Sequence, residues 1–198
     1  MKKIMFNDRY GLTQAVIEGR KTMTRRMISG GQLLPEDRIE DASICPDGFV
    51  SIIANGGESL MEVKYHYKVG EIVAVAQRYY YAVSSRYDIP VNGMDRTPGW
   101  RNKMFVRADL MPHQIRITGI KCERLQDISD ADCLKEGVYS DYGDTEFPPR
   151  EFYDYGGNTD NGFDTPRKAF ASLIDKVSGK GTWASNPWVV AYEFELVK

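Results

Sequence analysis

The sequence predicts an α+β fold, a partly closed β-barrel with two to three flanking helices and long loop insertions. Three observations carry this. Short β-branched and aromatic stretches recur from one end of the chain to the other. Only two or three segments show helical spacing, and they fall between the strands rather than alternating with them. At 198 residues, with no internal repeat and no sharp composition shift, the chain reads as a single domain, 1–198, with insertions near 29–66, 84–102 and 139–164.

Residues 2–6 (KKIMF) read as a short strand. Asn7 or Asp8 can cap a helix whose apolar positions Leu12, Ala15 and Val16 share a face, with Gly19 as its stop. Residues 29–46 have loop composition, and 48–54 and 60–66 flank Asn-Gly-Gly as a hairpin. The run EIVAVAQRYYYAV from Glu71 predicts a long strand, and KMFVRA another. In HQIRITGIKCERL, Ile115, Ile117 and Ile120 mark a buried face opposite Arg116 and Thr118. Ser129 and Asp132 form a capping box, with Ile128 and Cys133 as its hydrophobic staple, opening a helix over 130–136 that stops at Gly137. The acidic, aromatic, glycine-rich stretch 139–164 reads as a mobile loop or small insertion. Thr165 and Pro166 open the strongest helix, with Ala169, Phe170, Leu173, Ile174 and Val177 on one face and Gly179 as its end. PWVVAYEFELV closes the chain as a strand.

Charge is unevenly spread. Residues 2–27 hold seven Lys/Arg against two acids, and 127–164 hold eleven acids against two bases, within a formal net charge of −2. The densest cationic stretch is Gly-Arg-Lys-Thr-Met-Thr-Arg-Arg, residues 19–26. As an extended strand it places Lys21, Met23 and Arg25 on one face and Arg20, Thr22, Thr24 and Arg26 on the other, so a site using both Lys21 and Thr24 needs a turn or bulge near Thr22. Such a segment attracts anions, phosphate above all, or is a solvated basic turn. Cys45, Cys122 and Cys133 form no metal-ligand spacing with His66 and His113, so neither a metal nor another cofactor is expected. No stretch approaches the roughly 20 apolar residues of a membrane span, and the N-terminus lacks a signal-peptide core; a soluble cytoplasmic protein with reduced thiols is expected.

Gly19, Lys21, Thr24 and Arg26 give G-x-K-x-x-T-x-R. With Gly70-Glu71 opening a strand, ITGIKCERLQDIS, the helix ending Glu136-Gly137, and GKGTWASNPWVVAYEFELV, the chain resembles the prophage-encoded branch of the ASCH family, PUA-like barrels. The resemblance implies binding of RNA or a modified nucleoside or nucleotide in a basic cleft, with Gly19, Arg20, Lys21, Thr24, Arg25 and Arg26 as ligand contacts. One minimal ASCH protein removes the acetyl group from acetylated cytidine with a Lys, a Thr and a Glu that match Lys21, Thr24 and Glu136, which makes those three candidate catalytic residues. Where relatives carry a Trp-Val-Arg-Glu-Thr-Trp strand, this chain has Ala74-Val75-Ala76-Gln77-Arg78-Tyr79. Gln77 can hydrogen-bond a base edge, and Tyr79 to Tyr81 suit base stacking, although alternation along a strand must bury at least one of them. Two function classes follow: a nucleic-acid or nucleotide-binding module, and an amidohydrolase acting on an acylated nucleoside. A third reading is a mobile-element protein whose acidic 139–164 segment contacts a host protein.

Overall fold

A computed structural model describes residues 1–28, 39–45, 48–57, 59–84, 94–142, 151–156 and 162–197. They form a mixed α/β fold of ten strands and five helices. In chain order these are β1 (Lys3–Ile4), α1 (Leu12–Ile17), β2 (Met23–Met27), β3 (Ile39–Ile44), β4 (Phe49–Ala54), β5 (Ser59–Lys64), β6 (Ile72–Val75) and α2 (Tyr79–Ser84). They continue with β7 (Gln114–Arg124), α3 (Asp130–Lys135), β8 (Tyr139–Tyr142), β9 (Glu151–Asp154), α4 (Pro166–Ser178), α5 (Thr182–Ser185) and β10 (Trp188–Leu196).

One five-stranded sheet organises the molecule, in the order β1-β6-β7-β10-β2. β1 runs parallel to β6 and every other pair is antiparallel. The sheet is open, and among the described residues no barrel closes. β1 is two residues long and carries no ladder across to β2; instead Arg26 donates to the Met5 carbonyl at 2.6 Å beside that gap. β3, β4 and β5 form a separate antiparallel meander, and β8 and β9 a hairpin.

Local signals placed α3 and α4 well, whereas Asn7 caps a 3-10 turn over Asp8–Tyr10 and α1 starts only after Gly11. Among the described residues five helices form where two or three were expected. Thr165 accepts from the Lys168 N–H, Pro166 occupies the first helical turn, and α4 then buries Ala169, Phe170 and Leu173 against the sheet. Ser129 accepts from the Asp132 N–H at the start of α3, with Ile128 and Cys133 buried in the same core. The 49–54 and 59–64 strands flank the Asn-Gly-Gly turn as expected. Ile115 and Ile117 of β7 are buried and Ile120 partly so, while Arg116 and Thr118 face outward.

Other expectations are corrected. The strand from Glu71 stops at Val75, because its neighbours run out: β1 ends at Ile4 and β7 begins at Gln114. The chain then turns helical, with the Arg78 carbonyl accepting from the Tyr81 and Ala82 N–H groups. Tyr79 is buried while Tyr80 and Tyr81 are exposed, so one of the three rings joins a core. KMFVRA is not a strand; Asn102 accepts from the Met104 N–H and starts a short 3-10 turn. That lobe has a small core of its own, made of Ala74, Ala76, Tyr79, Ala82, Val106 and Met111. β3 lies inside the stretch read as loop from 29, and β8–β9 inside 139–164. The mobility expected of 139–164 falls mainly on 143–150 and 157–161, outside the described residues. No described helix is long and apolar enough to cross a membrane.

Candidate functional site

α1 ends on Gly19, whose φ of +74° lies in the left-handed region that glycine adopts without a Cβ penalty. The reversal points Lys21 back beneath the helix, with its N–H bonded to the Ala15 carbonyl at 2.9 Å. The next residue, Thr22, donates its N–H to the Lys135 carbonyl at 2.9 Å and docks the segment on the C-terminal end of α3. β2 begins only at Met23.

This docking gives Lys21 an unusual set of partners. Its Nζ lies 2.6 Å from the Glu136 carbonyl and 2.6 Å from Glu136 Oε2. The ammonium thus caps the C-terminus of α3, where carbonyls lack helical partners and partial negative charge collects. Gly137 is required beside it: its φ is +102°, and a Cβ there would meet Leu12 at 3.3 Å and the Lys21 stem at 3.5 Å. Phe6 lies under the ammonium at 5.8 Å from ring centroid to Nζ.

Arg25, on the same face of the segment, completes the cluster. In register it sits opposite Ala191 of β10, which in turn sits opposite Lys121 of β7. The alanine leaves room for the guanidinium to cross β10 and reach Glu123 Oε1 at 2.6 and 2.8 Å. The same group reaches Glu136 Oε1 at 3.0 Å and Asp132 Oδ2 at 3.3 Å. Lys121 closes the network on Asp132 at 2.7 Å and Glu123 at 3.1 Å. With Lys135 3.6 Å from Asp132, four cations thus face three carboxylates, and side-chain exposure is only 2% at Lys21, 1% at Arg25 and 6% at Glu136.

Burial dominates the electrostatics. It pushes the Lys21 ammonium below the ordinary lysine value, against the pull of Glu136 and with further help from Arg26 and Arg25. For Arg25, Glu136 and Glu123 outweigh the burial and hold the guanidinium charged. Asp132 is held low against its own burial by Lys121, Arg25 and Lys135. Cys133 behind the cluster is pushed up by burial to about 12, which leaves its thiol protonated and inert.

Lys21, Thr24, Arg25, Arg26 and Glu136 line one cavity of about 170 Å³, walled by Phe6, Leu12 and the α4 side chains Phe170, Leu173 and Ile174. Thr24 is 5% exposed, and its hydroxyl has no hydrogen-bond partner among the described residues. The departure from strand geometry at residues 21 and 22, required if Lys21 and Thr24 are to share a site, is therefore present. Next to this cavity lies a larger one of about 460 Å³ between the sheet and the β3–β5 meander. Met5, Arg26 and Met27 line both. The larger one is lined by Lys3, Arg26, Lys64 and His66 and, among the described residues, by no carboxylate.

The remaining expected contacts fall elsewhere. Gly19 shapes the turn rather than the cavity. Arg20 is exposed and paired with Glu18 at 2.5 Å. Gln77 lies in a different cleft, across α1, against His113. Tyr79 is a core residue: it is 5% exposed and its hydroxyl accepts from the Arg107 N–H at 2.8 Å. Glu123, Asp132 and Lys121 were missed by sequence reasoning, although Asp132 and Glu136 stand four apart on one helix face. Among the described residues no group of three or more His, Cys, Asp or Glu is placed to hold a metal ion. No protein-family model, curated protein or solved structure matches the chain.

Proposed function

We propose that the chain is an amidohydrolase that removes an acyl group from a modified nucleoside or nucleotide, on a PUA-like scaffold of the ASCH type. The observation that carries this is the convergence of Lys21, Glu136 and an unpartnered Thr24 hydroxyl on one cavity, with ammonium and carboxylate 2.6 Å apart.

The buried pair holds one mobile proton. Burial lowers the proton affinity of Lys21, and in the reaction its proton passes across the 2.6 Å contact to Glu136 Oε2, leaving a neutral amine beside a carboxylic acid. The amine then takes the Thr24 hydroxyl proton as the oxygen attacks the acyl carbon. The acid returns a proton to the departing nitrogen as the C–N bond breaks, leaving the acyl group on Thr24 as an ester. Water, deprotonated by the same pair, cleaves the ester and regenerates the hydroxyl. Arg25, tied to three carboxylates, fixes Glu136 rather than touching substrate.

Incubation with N4-acetylcytidine, followed by chromatography, tests this reading. Wild type should release cytidine and Lys21→Ala should not; absence of release by wild type would count against the reading for this substrate class.

Nucleotide recognition has its own support. Arg26, Lys64 and His66 line the adjoining cavity with no acid among the described residues, the setting that favours a phosphate. The same feature supports the broader binding-module reading, with RNA as ligand. In that reading Arg26, not Arg25, is the phosphate contact, because the Arg25 side chain is 1% exposed. Under the binding reading, affinity for an oligonucleotide should fall with rising salt.

A further inference from the structure

On the other side of α1 lies a cleft of about 550 Å³, lined by Asp8, Thr13, Gln77, Arg78, Tyr81 and His113 among others. Among the described residues it shares none with the Lys21–Thr24 cavity: Leu12 faces that cavity, whereas Gly11, Thr13 and Gln14 face this cleft. The volume suits a small ligand. Its chemistry is selective. Gln77 Oε1 lies 2.8 Å from His113 Nδ1, which orients the amide so that its NH₂ end is left to donate. Among the described residues nothing accepts from that NH₂. Tyr81 is 53% exposed, and the Arg78 guanidinium lies 5.9 Å over its ring. Such a guanidinium–aromatic pair presents flat surface for stacking. Asp8 is shared between Arg78 at 3.8 Å and Lys103 at 2.7 Å, so the guanidinium over the ring is only partly balanced.

A flat stacking surface and one amide donor at its edge together fit a planar heterocycle with a carbonyl oxygen or ring nitrogen at its rim. The geometry points to a second, nucleobase-binding site in this cleft, with Gln77 reading the acceptor edge and Tyr81 and Arg78 stacking on the ring. The base can come from a free nucleoside or from a single strand.

Both sources are tested by NMR titration of the full chain with uridine, cytidine, guanosine, adenosine and a single-stranded RNA hexamer. At least one probe should saturate the Gln77 side-chain amide signal. Gln77→Leu and Tyr81→Ala should each weaken that binding about tenfold, the size of one lost hydrogen bond or stacking contact. Thr24→Ala should leave it unchanged. Saturation by nucleosides identifies the free base as ligand, and saturation by the hexamer alone identifies a base within a strand. The proposal is overturned if no probe saturates, if binding survives both variants unchanged, or if the shifts map to the Lys21–Thr24 cavity. Tyr81 is a surface side chain, so Tyr81→Ala still decides between these outcomes if Gln77→Leu fails to fold.

Discussion

Arg25 and Arg26 are neighbours in sequence and opposites in circumstance. Alternation along β2 turns Arg25 inward, where Glu123, Asp132 and Glu136 surround it, and turns Arg26 outward, where its contact is the neutral Met5 carbonyl. A basic motif therefore splits into two halves. Lys21 and Arg25 belong to an interior cluster of paired charges beside the smaller cavity. Arg26 faces the larger cavity beside Lys64 with no carboxylate paired to it among the described residues. Counting positive residues in a stretch says little about anion binding until the carboxylates facing each one are known.

The comparison is broken most severely by Arg25→Met. It strips three carboxylates of a shared buried cation and should lower stability by about 3–5 kcal/mol, read from urea denaturation. Thr24→Ala separates chemistry from structure. Turnover of the acylated substrate should fall about a thousandfold or more, while stability changes by less than about 1 kcal/mol because the hydroxyl has no partner to lose. Arg26→Met should leave stability within about 0.5 kcal/mol of wild type but abolish any preference for an acylated nucleotide over its nucleoside, read as the ratio of their kcat/KM values.

How much of this was legible in the sequence depends on distance along the chain. α4 was legible to its ends, since Thr165, Pro166 and Gly179 act on their own neighbours. The signature spacing, through its resemblance to a known motif, brought Lys21, Thr24 and Glu136 together. The acids around Arg25 were not legible, because Glu123 and Asp132 lie 98 and 107 residues away and meet it only after β10 inserts between β2 and β7. The Tyr79–Tyr81 run misled for a similar reason: strand propensity needs a partner strand, and the sheet had ended.

The subtlest effect is on pH dependence. The folded chain holds Lys21 below the ordinary lysine value of 10.5. Between that lowered value and 10.5 the unfolded chain binds a proton there that the folded chain does not, so Lys21 makes stability rise with pH across the window. Lys21→Met cannot titrate, and denaturation midpoints measured across that range should lose this rising contribution.

The central claim, that the Thr24 hydroxyl is a nucleophile served by the Lys21–Glu136 pair, is tested most directly by trapping the acyl group. Protein quenched during turnover of N4-acetylcytidine and mapped by peptide mass spectrometry should carry an acetyl group on Thr24. Turnover with Thr24 unmodified throughout, or a Thr24→Ala variant as fast as wild type, would contradict the account.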